Sequence, residues 1–161
     1  MINQVSLSTV VDFVMGQAPH SSTYNNIGNG TLFVRVGDFG PKYPNSSTFT
    51  TKPLVLGKEG DVFLCVVGAT CGKVNMGINA AITRSVAALR PKKNIIIQEY
   101  LYYFFLLSYL KINSSSEGSA QPILNKSKLS SIQFPLTQIT EQKRIVAKID
   151  TLFAKIDKAI G

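Results

Sequence analysis

The clearest periodicity in the chain lies at its C-terminal end. In "PLTQITEQKRIVAKIDTLFAKIDKAIG", the residues Ile145, Ile149, Leu152, Ile156 and Ala159 recur at alternating steps of four and three. That spacing draws a narrow stripe along a helix, the a/d seam of a coiled coil, whereas a helix that only lies on its own core shows a broader apolar face. The stripe predicts a helix with a docking surface whose partner is not evident in the rest of the sequence. Thr140 is placed to cap it, and Glu141 falls in its first turn.

A second helix is predicted over 98–112. Gln98 and Glu99 suit its first turn and Lys111 its last, where each charge complements the helix dipole. Its run "YLYYFFLLSYL" is apolar on every side, so it reads as a buried helix, and it is too short to span a bilayer. The first ninety residues read differently. The opening "NQVSLSTVVDFVMG" has apolar positions at Val5, Leu7, Val10, Val11 and Phe13, and Gly16 and Pro19 end it. After a polar loop, "GQAPHSSTYNNIGNGT", comes the β-rich run "LFVRVGDFG". A second polar loop, "PKYPNSSTFTTKP", leads into "LVLGKEGDVFLCVVGATCGKV", which reads as two short strands with a tight turn at "KEGD". "NAAITRSVAALRP" is a further strand candidate with one break in its alternation, and "KSKLSSIQFPL" a short strand or extended run. Strands early and helices late make the class α+β, with a mixed or antiparallel β-rich body and packed helices. The one shift in composition follows Pro135, so the expected division is a globular body over 1–135 and an appended coiled-coil-type helix over 140–161.

Composition narrows the function. Apolar residues make up 45% of the 161-residue chain and charged ones 16%, which fits one folded domain with a real core. The formal net charge is +8. Most of that excess falls in 61–128, and it favours polyanions such as nucleic acid or an anionic membrane surface. Met1 leads straight into polar sequence with no secretory signal, so Cys65 and Cys71 are expected as free thiols of a cytoplasmic protein rather than a disulfide. A zinc site finds no support, because His20 is the only histidine and no CxxC accompanies it.

The tools of an enzyme are missing. "GNG" at 28–30 lacks a strand-to-helix context, and neither a Walker A loop nor a GxSxG elbow occurs. An Asn/Asp-Pro-Pro-Tyr/Phe tetrapeptide of the kind seen in amino-methyltransferases is missing too. Glu59 and Asp61 fit a solvated turn better than a metal site, and nothing orients Cys71 and His20 as a nucleophile–base pair.

What the loops do hold is an inventory for base edges and phosphates. Candidate readers are Ser21, Ser22, Tyr24 and Asn25 in the first loop, Asn45, Ser46 and Ser47 in the second, and Arg35 and Arg84 in β-rich runs with few carboxylates to pair them. Lys73 follows Gly68 and Gly72 in a tight loop whose backbone N–H groups suit a phosphate. Composition alone leaves a DNA-binding module and another kind of interaction domain equally open.

Longer motifs decide between them. "GQAP" at 16–19, "FVRVGD" at 33–38, "GDVFLCVVGATCGKV" at 60–74 and "NAAITRSVAAL" at 79–89 are followed by "YLYYFFLL" at 100–107. "GSAQPILNKSKLSSIQFPL" at 118–136 and "EQKRIVAKIDTLFAKID" at 141–157 complete the set. In this order the chain resembles one half of a type I restriction-modification specificity subunit, one target recognition domain followed by the start of a central helix. Two positions depart from that pattern: Thr137 stands where a second proline is frequent, and Arg84 where glutamine is common, so no role for residue 84 carries over. The resemblance implies a non-catalytic, cytoplasmic subunit that binds double-stranded DNA and reads one half of a split site. It also implies a modification subunit that methylates adenine with S-adenosylmethionine, a restriction subunit that hydrolyses ATP and cleaves, and no membrane. No cofactor is expected on this chain. The stripe on the terminal helix would pack against a second specificity helix, from another copy or another half, in a two-fold dimer. Gly68, Gly72, Gly118 and Gln121, in the shared motifs, are expected to fix loops and packing, with the readers in 20–26, 41–50 and around Arg84. Two alternatives remain: a recognition domain of a fused restriction-methylation enzyme, and a protein- or membrane-surface interaction domain.

Overall fold

The computed structural model describes residues 1–114 and 123–160, so Gly118 and Gln121 lie outside the described residues. Strands β2 (Val11–Met15), β7 (Val62–Cys65), β8 (Val74–Met76) and β10 (Val86–Pro91) form an antiparallel sheet in the order β2-β10-β7-β8. A second sheet has the order β3-β5-β4-β9-β6, from β3 (Tyr24–Asn25), β4 (Thr31–Val34), β5 (Phe49–Thr50), β6 (Leu56–Gly57) and β9 (Ala80–Ile82). Its β4–β9 pair is parallel. Helix α1 (Gln98–Ser114) lies on the other side of the antiparallel sheet.

The antiparallel sheet is therefore the middle layer, and period-2 alternation divides its side chains between two cores. Val62, Leu64, Ala87 and Leu89 face α1, while Phe63, Cys65, Val86 and Ala88 face the five-stranded sheet. Burial on both faces explains why β7 reads as a continuous apolar run. It also explains the all-round apolar α1, whose Tyr100, Leu101, Tyr102, Tyr103 and Phe105 are buried between this sheet and a third helix, α3 (Ile139–Ile160).

Strand β1 (Asn3–Ser6) pairs antiparallel with β11 (Gln133–Leu136), which joins the start of the chain to the segment that enters α3. Between α1 and β11 lies the short helix α2 (Lys126–Ser130), capped by Asn125, whose Oδ1 accepts the Lys128 N–H at 2.8 Å. This corrects the extended reading for 126–130, which missed the Asn cap, while the strand expected in the same run is found as β11.

Three further expectations change. "NAAITRSVAALRP" is not one strand: β9 and β10 belong to different sheets, and the break in alternation marks the crossing between layers. The run through Arg35 leaves the sheet after Val34, with Arg35 still extended, and enters a 3₁₀ turn over Val36–Asp38. Thr140 lies inside the first turn of α3 rather than ahead of it.

Asp61 departs most from its expected solvated turn. Its carboxylate is fully buried and accepts from Arg90 twice, Nε at 2.8 Å and Nη2 at 2.9 Å, as well as from the Lys58 N–H. The pairing holds the Arg90 guanidinium above its ordinary pKa, chiefly through these hydrogen bonds. A bidentate fork of this kind ties the 58–61 turn to β10.

Candidate nucleic-acid interface

Strands β2, β4, β7 and β9 all end, and β10 begins, at one edge of the sandwich. The Thr83–Ser85 turn between β9 and β10 gathers these ends through backbone hydrogen bonds. Thr83 N–H donates to Val34 O at 3.3 Å, and Val66 N–H donates to Ser85 O at 2.8 Å. From the far side, Gly16 N–H reaches Val86 O at 2.9 Å and Gln17 N–H reaches Ile82 O at 3.1 Å. Only glycine allows that approach, since a Cβ on residue 16 would stand 1.9 Å from Thr83 O. Three segments, the ends of β4 and β7 and the Gly16–Gln17 stretch, thus converge through four bonds on the turn that carries Arg84.

Arg84 is exposed at the centre of this edge. Among the described residues it makes no ion pair. Arg35, at the end of β4, is held instead. Its guanidinium carbon lies 5.7 Å from the centroid of the Phe33 ring, and its Nη2 donates to Thr48 Oγ1 at 2.8 Å. Asp38 accepts the Arg35 backbone N–H at 2.9 Å, and its carboxylate stands 3.7 Å from Nε. The side chain is still 46% exposed. A guanidinium stacked and tethered on one side, with free N–H groups on the other, is preorganised to meet a phosphate or a base edge.

The other candidates divide into two groups. Tyr24, Asn25 and Ser46 are engaged within their own loops. Tyr24 packs on Phe33 at 4.9 Å between centroids and donates to Pro19 O. Asn25 accepts from Ile27 and Asn29 and donates to Asn29 O, closing the 25–29 turn. Ser46 Oγ donates to Phe33 O at 2.6 Å and accepts the Thr48 N–H. These three shape the loops. Ser21, Asn45 and Ser47 are exposed, as is Ser22, which bonds to His20 Nδ1.

Lys73 closes the β7–β8 loop, its N–H on Thr70 O and its carbonyl accepting from Cys65. Gly68 and Gly72 in that loop have φ of 98° and 96°, a region that side chains other than glycine rarely adopt. Sequence reasoning passed over Gln17, exposed beside the Arg84 turn, and Thr48, the tether of Arg35. Gln17 could have been found in the "GQAP" motif. Nothing local marks Thr48.

His20 is bound to Ser22, and Cys71 lies beside Leu124 and Lys128, so they are engaged with different segments. Both cysteines are free thiols. Among the described residues, no three His, Cys, Asp or Glu side chains are grouped to hold a metal, and no helix is long and apolar enough to cross a membrane.

The terminal stripe is half covered by the chain itself. Ile145 and Ile149 pack against the core shared by α1 and the middle sheet, together with Val146 and Phe153. Leu152 and Ile156 are 50% and 51% exposed, and Ala159 is exposed. The apolar face of α3 is broader than the seam alone, because Val146 and Phe153 follow Ile145 and Leu152 about 100° further round the axis. One flank meets the domain and the other is left bare.

Comparison with known proteins finds the same fold. The family model for the type I restriction modification DNA specificity domain matches residues 3–160. A putative type I restriction enzyme MjaX specificity subunit of Methanocaldococcus jannaschii is 33% identical over 143 residues, covering 86% of this chain and 33% of that protein. The crystal structure of the HsdS subunit from Thermoanaerobacter tengcongensis superposes with a TM-score of 0.81 at 33% identity, over 98% of this chain and 38% of that one. A chain from a type I R-M system structure, described in terms of complex assembly and conformational transition, gives a TM-score of 0.85 at 32% identity, over 98% of this chain and 40% of that chain. The chain thus spans between a third and two fifths of the length of these relatives. A match from near the first residue to near the last, with the same fold in solved specificity subunits, makes this chain a member of the type I restriction-modification DNA specificity domain family.

Proposed function

We propose that the edge built around Arg84 reads a short sequence in double-stranded DNA, as one half of a bipartite site. The observation that supports this reading is the convergence of three segments on the turn of one exposed arginine, with Arg35 preorganised beside it. Arg84, Gln17, Ser21, Asn45 and Ser47 are placed to meet base edges, and Arg35 and Lys73 to hold phosphates. Tyr24, Asn25 and Ser46 hold the loops in shape.

In this reading the domain itself carries out recognition without catalysis. A modification subunit, supplied with S-adenosylmethionine, flips and methylates adenine, and a restriction subunit cleaves. The bare flank of α3 packs against a second specificity helix, from another copy or another half, and the assembly works in the cytoplasm.

Selection of bound duplexes from a random pool by the full chain tests the reading. Enrichment of one short motif is the expected result. Salt-sensitive binding without enrichment, equal for scrambled duplexes, would point to a general polyanion-binding domain instead.

A further inference from the structure

Helix α3 leaves the domain as a lever gripped at two points. Near its start, the fully buried Gln142 accepts the Ile97 N–H and donates to Ile95 O and Thr137 O, each at 2.9 Å. About two turns further on, Asp150 Oδ1 accepts the Tyr103 hydroxyl. One turn beyond that, the Phe153 ring stacks on Tyr103, with centroids 5.9 Å apart and planes 18° from parallel. Tyr103 is buried on α1 and braced edge-on by Tyr102 at 5.3 Å. Past Phe153 the helix carries exposed Ile156 and Ile160.

The contacts of Tyr103 set two quantities at once. Pinning Asp150 sets the tilt of the helix. Pinning Phe153, about 100° around the axis from Leu152, sets the rotation and hence the direction in which Leu152 and Ile156 face. Gln142, with Ile145, Val146 and Ile149 packed on the core, holds the start of α3, and the Tyr103 contacts are the grip nearest its exposed end.

We propose that Tyr103 is a positioning residue for half-site spacing, acting through Asp150 and Phe153 to aim α3 relative to the DNA-reading edge. The inference rests on the bipartite-site reading above. From Gln142 to Ile160 the helix rises about 27 Å. A tilt of about 10° moves its far end about 5 Å, more than the rise of about 3.4 Å per base pair along duplex DNA. A small loss of grip is therefore enough to bring a second half-site into reach at a neighbouring spacing. The path is mechanical and short: Tyr103 sits on α1, α1 packs on β7 and β8, and β7 runs into the Val66–Ser85 bond that holds the Arg84 turn.

The test uses the full chain assembled with its cognate modification subunit, on duplexes carrying two half-sites whose gap varies by single base pairs. Wild type is expected to methylate at one gap. D150A and Y103F should methylate the neighbouring gaps as well, lowering gap selectivity several-fold, while binding to a single half-site stays unchanged. D150N, which keeps the acceptor oxygen, should retain the wild-type preference, and F153A should lose it. Unchanged gap selectivity in D150A, Y103F and F153A would overturn the proposal. A wild type that methylates gapless and gapped substrates alike would refute the bipartite reading itself, and the positioning role with it.

Discussion

Gln142 and Ile97 are joined by a hydrogen bond of 2.9 Å from the Ile97 backbone N–H to the Gln142 side-chain carbonyl. Gln142 is fully buried, and its amide nitrogen donates in turn to Ile95 and Thr137. One side chain therefore satisfies three backbone groups at the junction of α3 with the domain. Replacing it with Leu leaves one donor and two acceptors without partners, the Thr137 carbonyl buried and the Ile97 and Ile95 groups part-buried. The expected loss in Q142L is about 3 kcal/mol or more, read as a lower urea midpoint. A loss under about 0.5 kcal/mol would show that water or a local shift replaces these bonds.

Asp61 and Arg90 make the second such node. Breaking a buried pair leaves one charge uncompensated, which typically costs about 3–5 kcal/mol. R90A strands the fully buried Asp61 carboxylate and should destabilise by about 3 kcal/mol. D61N should cost less, because Asn keeps an acceptor for Lys58 and Arg90, 31% exposed, can turn to water. Equal losses in both variants would mean that shape rather than charge dominates the site.

Arg84 and Lys73, both at the proposed DNA edge, should fail differently when removed. R84A is expected to relax preference at one base position, at a cost of about 1–3 kcal/mol for the preferred duplex. K73A should weaken all duplexes alike and lower the salt slope by about one. T48A, which unties the Arg35 guanidinium, should weaken binding while leaving the fold intact. Binding isotherms over a range of salt and single-base variants separate these outcomes.

Burial, reinforced by the nearby Cys65, pushes the Cys71 thiol above its ordinary pKa. At pH 8 less of it is thiolate than in a free cysteine, so alkylation should be slower there and still rising at pH values where a free thiol has levelled off. Labelling followed by mass spectrometry gives both curves. A faster rate than free cysteine would contradict the partial burial of this thiol.

Much of this architecture was legible in the sequence, and the rest failed for physical reasons. The apolar run at 100–110 announced α1, because burial against the sheet and α3 fills most of its circumference with apolar side chains, although Leu107 and Leu110 are exposed. The strands of the middle sheet were legible for the same reason. Legibility ended where one residue answers to a distant neighbour. Thr83–Ser85 looked like a flaw in one strand, because the crossing between sheets depends on bonds to Val34 and Val66. Asp61 looked solvated, because Arg90 lies far along the chain. On α3 the seam positions were visible, but the split between covered and bare flanks is set by where the core shared by α1 and the middle sheet meets the helix. Tyr24, Asn25 and Ser46 have suitable chemistry for DNA contacts, yet Tyr24 and Asn25 are committed to their own loop and Ser46 to the Phe33 carbonyl of β4, which composition does not reveal.

The most direct test of the central claim is methylome sequencing of a host that expresses this chain with its cognate modification subunit. Methylated adenines in a two-part motif with a fixed gap are the expected result, palindromic if two copies pair and asymmetric if a different half joins. Absence of any new methylated motif, while the two subunits co-purify, would contradict the assignment of site recognition to this domain.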